Sequence, residues 1–493
     1  MMDLELLSVL AKGAADYPHG ELDDLWRIIL KNQFHDILPG SAIHEVYEVS
    51  RQEYEQVEEK IHALTEEKIQ NLLDEEGSGV TIFNTTGFDR DDLVVLPEFT
   101  GNALRDSGGE VYEVQQTKDG AIAYIGHLPS KGYETFAPAE TAAEKTNPIT
   151  ISDNGVETPY YCIQFDEDGY MTRIWDKENR REVLSDGEKG NLFRMYEDKP
   201  MSFDDWDIDI YYTEKFWDVT DLTKTEWLEK GPVRATLYQE RHVSNSTICQ
   251  KIHFYADSRR MDFETTVDWR EHQHLLKVHF PVNVHTDEAT YEIQYGNLTR
   301  KTHSNTSWDK AQFESCGQKW GDLSEGHYGV SLLNDCKYGH SIKEGVIGLT
   351  LIKSGTDPNP TADQEMHHFA YSLYPHAETW KESGTVKQAY FFNQPALACT
   401  GSPKKSRFSY ASVDVRNVVL ETIKEAEDGD GVIVRLYECE NALTNAKLIF
   451  DSPIHSACEC NLIEEEETDV ESEANTLSFE IKPYEIKSFR IRF

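Results

Sequence analysis

From Gly79 onward the apolar residues of this chain change rhythm, from the spacing of a helix to strict alternation, and that change limits what the chain can build. VTIFN (80–84), DDLVVL (91–96) and AIAYIGHL (121–128) have the length and alternation of short strands between turns. After AETAAEKTNP (139–148), which has linker composition, a long β-rich stretch follows. It includes YYCIQFDEDGYMTRIWD, RATLYQERHV, ICQKIHFYA, MDFETTVDW and LLKVHFPVNV. Leu276, Val278, Phe280, Val282 and Val284 alternate so cleanly that one buried face is expected there. A final segment, 407–493, alternates again, and its acidic run EEEETDVESE (464–473) reads as a solvated loop. No βαβ alternation, Gly-rich phosphate loop, nucleophile elbow or H-E-x-x-H occurs. A nucleotide-binding sheet or a complete TIM barrel is therefore not encoded here.

The first 75 residues follow the other rhythm. Leu22, Leu25, Trp26, Ile29 and Leu30 form one helical seam. Ile43, Tyr47, Ser50, Tyr54, Val57, Ile61, Leu64, Lys68 and Leu72 form a second, about 45 Å long at ~1.5 Å per residue. Pro39-Gly40 separates them, and Ser41 is placed as N-cap of the second helix. The expected fold is α+β and mainly β. A helical bundle (1–76) leads to a small β domain (80–140), a large antiparallel β-sandwich (148–398) and a C-terminal β domain (407–493).

Composition narrows the partners. Aromatic residues make up 11% of the chain and hydrophobic residues 39%, enough for sizeable cores. Net charge is −41, from 48 Lys+Arg against 89 Asp+Glu, with no basic stripe, so nucleic acid and anionic membrane surfaces are poor partners. No run of 18 apolar residues is present, and the acidic residues ahead of the short apolar run in MMDLELLSVLAKG do not make a secretory signal. Eight scattered cysteines fit reduced thiols and a cytoplasmic protein.

Two clusters could carry chemistry. His35 and Asp36 stand side by side near the end of the first helical seam. A carboxylate in a helix's last turn is repelled by the terminal carbonyls, and a cation or sugar hydroxyl beyond the helix would compensate for that. A lone His is more often structural than a ligand, and the whole helical segment also reads as a support for neighbouring domains. The second cluster is Phe203-Asp204-Asp205-Trp206-Asp207. Carboxylates accept from hydroxyls and an indole face stacks on a sugar ring, yet the same string reads equally as a β-turn with a buried Trp. Asn305-Thr306-Ser307-Trp308-Asp309 has similar chemistry, and Tyr196 offers a hydroxyl.

LWRIILKNQFHDILPGSAIHEVY, YEDKPMSFDDWDID, GPVRATLYQER, SRRMDFETTVDWREHQHLLKVHFPVNV, RKTHSNTSWDKAQFE, YGVSLLNDCKYGH and YSLYPHAETW occur in an order that resembles glycoside hydrolase family 38, the retaining α-mannosidases. The likeness is to the bacterial and cytosolic branch, and it covers the helical middle and the C-terminal β portions, nearly the whole chain. It implies a large sandwich of the galactose-mutarotase-like super-sandwich kind and an enzyme with one zinc ion. His35 matches the family's fourth zinc ligand and Asp36 a sugar-hydroxyl contact. Asp204, Trp206, Asp207 and Tyr196 become candidate substrate contacts. The substrates implied are α-mannosides or mannose-containing oligosaccharides.

The family's N-terminal α/β catalytic domain, with its His-x-Asp zinc pair, nucleophile Asp and general acid, has no counterpart here. The only H-x-D, His285-Thr286-Asp287, follows an alternating strand and reads as a strand-end turn, and His272-Gln273-His274 reads as surface. Retaining glycosidases need two carboxyl groups flanking the bond. The chain is thus expected to supply one zinc ligand and the walls of a substrate site, to hold almost no zinc alone, and to be inactive alone. Its expected partners are the missing catalytic domain and a second copy of itself, with an exposed apolar patch near residues 1–40. The alternative is a non-catalytic carbohydrate-binding or scaffolding protein derived from the enzyme.

Overall fold

The structure is a computed structural model that describes residues 1–12, 16–74, 77, 79–140 and 147–493. It is 47% strand and 15% helix, the expected mainly β, α+β class. Most of the linker expected over 139–148, and the end of the helical region at 75–76, lie outside the described residues.

Two compact units are present, and their boundaries cut across the expected segments. One unit comprises residues 1–33, 50–144 and 394–493, and the other residues 34–49 and 145–393.

In the first unit, helix α1 (Met2–Leu10) is apolar on nearly every side. Leu4 packs with Leu22, Leu25, Val57 and Leu64. Leu7 packs with Ile69, Phe83 and Tyr133, while Leu6 and Val9 enter the C-terminal β core beside Leu420 and Phe489. A helix apolar all round belongs inside a protein. The apolar patch expected near residues 1–40 is therefore absent over the first turns, and exposure starts only at Leu30. Helix α2 (His19–Asn32) meets helix α3 (His44–Leu72) through Lys31 and Asn32, which both bond Glu53. Of the long second seam, only Val57, Leu64 and Lys68 are buried, with Ile69 buried beside the seam, and Ile43 and Tyr54 stand exposed.

Strand Val80–Asn84 lies between Gly132–Ala139 and Leu397–Thr400, with Val80 opposite both Phe136 and Thr400. The small β region is thus closed by a strand that sequence spacing places at the edge of the large sandwich. The C-terminal residues form a four-stranded and a five-stranded antiparallel sheet. The acidic run expected to be solvated is tied down in part. Glu464 pairs with Lys424 at 2.8 Å and accepts the Glu427 amide, and Glu467 pairs with Arg490.

The second unit holds antiparallel sheets of five, six and nine strands over one core that includes Trp269, Phe263, Tyr371, Phe280 and Leu349. Each such side chain contributes about 1.5–3 kcal/mol by leaving water. Strand His274–Pro281 pairs with Leu192–Glu197 on one side and Val346–Ser354 on the other. Its Leu276, Val278 and Phe280 face the core as expected, but the opposite face is buried too. Lys277 there is paired with Glu314, and His279 meets the Tyr196 hydroxyl. Alternation gave the inward face correctly. It could not show that the polar face is covered, because Lys and His look the same whether solvated or paired.

Candidate functional site

Helix α2 ends at Asn32, earlier than the sequence suggests, so His35 and Asp36 lie in the turns beyond it. The Asp36 carboxylate therefore escapes the last turn's carbonyls, which removes the conflict expected there. The turns are closed by Ile37 and Leu38 amides donating to the Phe34 carbonyl, and by Gly40 donating to Ile37. Gly40 takes φ +82°, a conformation that a side chain disfavours. The imidazole of His35 is 75% exposed, rests on the Phe34 ring at 4.2 Å, and places Nε2 3.4 Å from Asp36 Oδ2.

Helix α3 starts at His44, so Ser41 is not its N-cap. Ser41 is buried instead, and its carbonyl accepts from Trp206 Nε1 at 2.9 Å. The next amide, Ala42, donates to the Tyr47 hydroxyl at 2.8 Å, which donates in turn to the Asp36 carbonyl at 3.2 Å. Burial pushes the Tyr47 phenol up, with Asp363, Asp205 and Asp36 adding to the effect. His44 Nδ1 lies 3.4 Å from Thr361 Oγ1. These contacts all fall inside the second unit, which explains why residues 34–49 cluster with the sandwich rather than with the helices on either side.

The 203–207 string is a turn, as one of its two readings holds, but Trp206 is 63% exposed rather than buried. Asp204 is buried with its carboxylate committed to protein donors. Oδ1 accepts the Thr356 and Asp357 amides at 2.7 and 2.8 Å, and Oδ2 accepts Gln273 Nε2 and Thr356 Oγ1 at 2.8 and 2.9 Å. Burial alone would raise its pKa, but these bonds outweigh burial and hold the carboxyl below its usual range. Asp205 accepts the Asn359 amide, and burial raises its pKa. Asp207 is exposed and bonds the Ile208 amide.

Of the expected substrate contacts, Asp36, Trp206 and Asp207 remain at the surface, and Asp204 and Tyr196 do not. Tyr196 is buried against Tyr212 and Leu275, with its hydroxyl 2.9 Å from His279 Nε2. Trp308 is exposed, and Asp309 closes a capping box with Thr306. His285 to Asp287 sit in the turn after strand His274–Pro281. The residues that sequence reading missed are Tyr47, placed there only in the helical seam, and the 354–359 loop. The turn-rich string SGTDPNP was the available signal for that loop.

His35 fits one corner of a zinc site, a solvent-facing imidazole beside a carboxylate. Among the described residues no group of three or more His, Cys, Asp or Glu is placed to hold a metal.

A helical segment followed by antiparallel sheets, with a histidine-carboxylate loop bonded to the sheets of the second unit, defines a multidomain, mainly β protein. Family models match it in three places. The alpha mannosidase middle domain matches residues 1–72, the glycosyl hydrolases family 38 C-terminal domain 156–361, and the family 38 C-terminal beta sandwich domain 417–489. The chain belongs to glycosyl hydrolase family 38. Human alpha-mannosidase 2C1 is 32% identical over 94% of this chain, and alpha-mannosidase G of Dictyostelium discoideum is 31% identical over 95%. The matched stretch is 44% and 48% of those proteins, so the chain spans about half the length of the curated relatives it matches. An alpha-mannosidase from Enterococcus faecalis V583 shares the fold, with a TM-score of 0.80 at 18% identity, over 99% of this chain and 65% of that one.

Proposed function

We propose that this chain forms one side of the active site of a retaining, zinc-dependent α-mannosidase acting on terminal α-mannosides in the cytoplasm. The observation that carries the proposal is the His35-Asp36 loop, exposed yet held by bonds from helix α3 and from the sandwich. A surface loop without a role gains little from such pinning, whereas a metal ligand must be held in place. Along the loop itself Phe34, Leu38 and Ile43 stand exposed. The likeness to mannosidases of twice the length supports a further polypeptide segment over that surface, bringing the nucleophile and general acid.

In that site His35 would give one ring nitrogen to zinc and Asp36 would accept a sugar hydroxyl. Trp206 and Asp207 would wall the pocket. A zinc ion, when bound, would supply Lewis-acid binding of sugar hydroxyls. The carboxylate of Asp36, 3.4 Å from Nε2, orients the imidazole and favours a cation beside it. One imidazole cannot hold zinc tightly, because protein zinc sites use three or four ligands.

The test is hydrolysis of an aryl α-mannoside by the purified chain, alone and mixed with the half of human alpha-mannosidase 2C1 that it does not match. Turnover in the mixture, lost with His35→Ala, is the expected result. Turnover by the chain alone that is lost with His35→Ala would place the catalytic carboxylates within these residues and contradict the proposal.

A further inference from the structure

We propose that Tyr47 and Trp206 are positioning residues, whose side chains set the backbone of residues 36–42 and thereby the direction in which His35 points. The loop's own bonds are few: Phe34 to Ile37 and Leu38, and Ile37 to Gly40. They close local turns and do not fix the loop relative to anything else. The fixing comes from two aromatic side chains outside it. Tyr47, in the first turn of α3, bridges the Ala42 amide and the Asp36 carbonyl with one hydroxyl. It fixes the backbone at Asp36, whose carboxylate lies 3.4 Å from His35 Nε2. Trp206 approaches from the sandwich and takes the Ser41 carbonyl through its indole N–H.

Trp206 can act as a fixed post because its own turn is anchored. Asp204 receives donors from Thr356, Asp357 and Gln273, Asp205 receives the Asn359 amide, and the Asp205 amide donates to the Asp357 carbonyl. Within the turn, the Trp206 and Asp207 amides return to the Phe203 carbonyl. The order of support runs from the 354–359 loop to the 203–207 turn, then to Ser41 and Ala42, to Tyr47, and to the Asp36 backbone. Trp206 thus acts as a hydrogen-bond donor, not only as a sugar-stacking surface, and Asp204 is an anchor and not a ligand contact.

The consequence for catalysis rests on the mannosidase reading, but the ordering of the loop does not, so the experiment involves neither metal nor substrate. Tyr47→Phe keeps the ring and removes only the hydroxyl, and Trp206→Phe keeps an aromatic side chain but removes the indole N–H. Hydrogen exchange of the full chain should quicken at residues 36–42 about five- to tenfold in Trp206→Phe, which loses one bond, and at least as much in Tyr47→Phe, which loses two. Strands Ser246–Tyr255 and Met261–Asp268 should stay unchanged. A second readout is the His35 ring carbon–proton resonance, assigned by its loss in His35→Ala. It should move towards the position of an unstructured histidine in both variants, while the buried His376 resonance stays put. The proposal is overturned if loop exchange is unchanged in both variants, if the His35 resonance does not move, or if the sandwich strands quicken equally. A failed mannosidase assay would leave these outcomes as they are, so the two readings fail separately.

Discussion

The backbone amide of Thr356 donates to Asp204 Oδ1 at 2.7 Å, and through that bond the turn bearing Trp206 is fastened to the loop after strand Val346–Ser354. Replacing Asp204 with Ala leaves the Thr356 and Asp357 amides without their acceptor. We expect the second unit to lose about 2–3 kcal/mol in urea unfolding, since bonds to a charged group are worth about 1.5–3 kcal/mol. The contribution also depends on pH. The folded carboxyl titrates below its unfolded value, so its stabilisation is complete above about pH 4. It is lost as pH falls through the folded value. Asp204→Asn should flatten that acid limb, which urea midpoints between pH 3 and 6 would show.

Lys277 and Glu314 make a buried ion pair on the covered face of strand His274–Pro281, with Thr350 Oγ1 also donating to Glu314 at 2.8 Å. Lys277→Met removes one charge and leaves the other in a poor solvent. We expect a loss of about 3–5 kcal/mol. The double variant Lys277→Met with Glu314→Gln should recover most of it. Thermal melts of wild type, both single variants and the double variant check the pattern.

Lys131 is fully enclosed, with its ammonium donating to the Glu421 carbonyl at 2.8 Å. Burial pulls its pKa down to about 8, with Glu421 and Asp3 opposing weakly. The folded state therefore gives up this proton before the unfolded chain does. Stability from this group should rise between about pH 8 and pH 10.4, by up to about 3 kcal/mol, and be flat below. Chemical denaturation at pH 7.5 and 9.5 should show wild type gaining against Lys131→Met, which has no such proton to lose.

The period-two rhythm locates strands such as Val80–Asn84, Arg234–Val243 and His274–Pro281, because a strand with one buried face must alternate whatever its neighbours do. It did not show that Leu397–Thr400 returns to Val80–Asn84, since pairing between residues over 300 positions apart leaves no local pattern. The seam from Ile43 to Leu72 was legible as a helix, but not which of its turns would be covered. His35 and Asp36 stood out as a pair, yet the reason given for them, a carboxylate in a helix's last turn, was wrong by one turn of chain. Asp204 and Trp206 drew attention for their chemistry; the structure buries Asp204 among protein donors and bonds the Trp206 indole to Ser41. A buried carboxylate with four donors and a sugar-binding carboxylate are the same letter in a sequence, and only the donors from the 354–359 loop and Gln273 distinguish them.

Zinc bound to the chain mixed with the unmatched half of human alpha-mannosidase 2C1, measured by elemental analysis after dialysis, tests the role of His35 most directly. We expect close to one zinc per complex in wild type and in His62→Gln, which alters an equally exposed histidine on helix α3. His35→Gln should bind zinc at least about tenfold more weakly and lose it on dialysis. Full retention of zinc by His35→Gln would contradict the assignment.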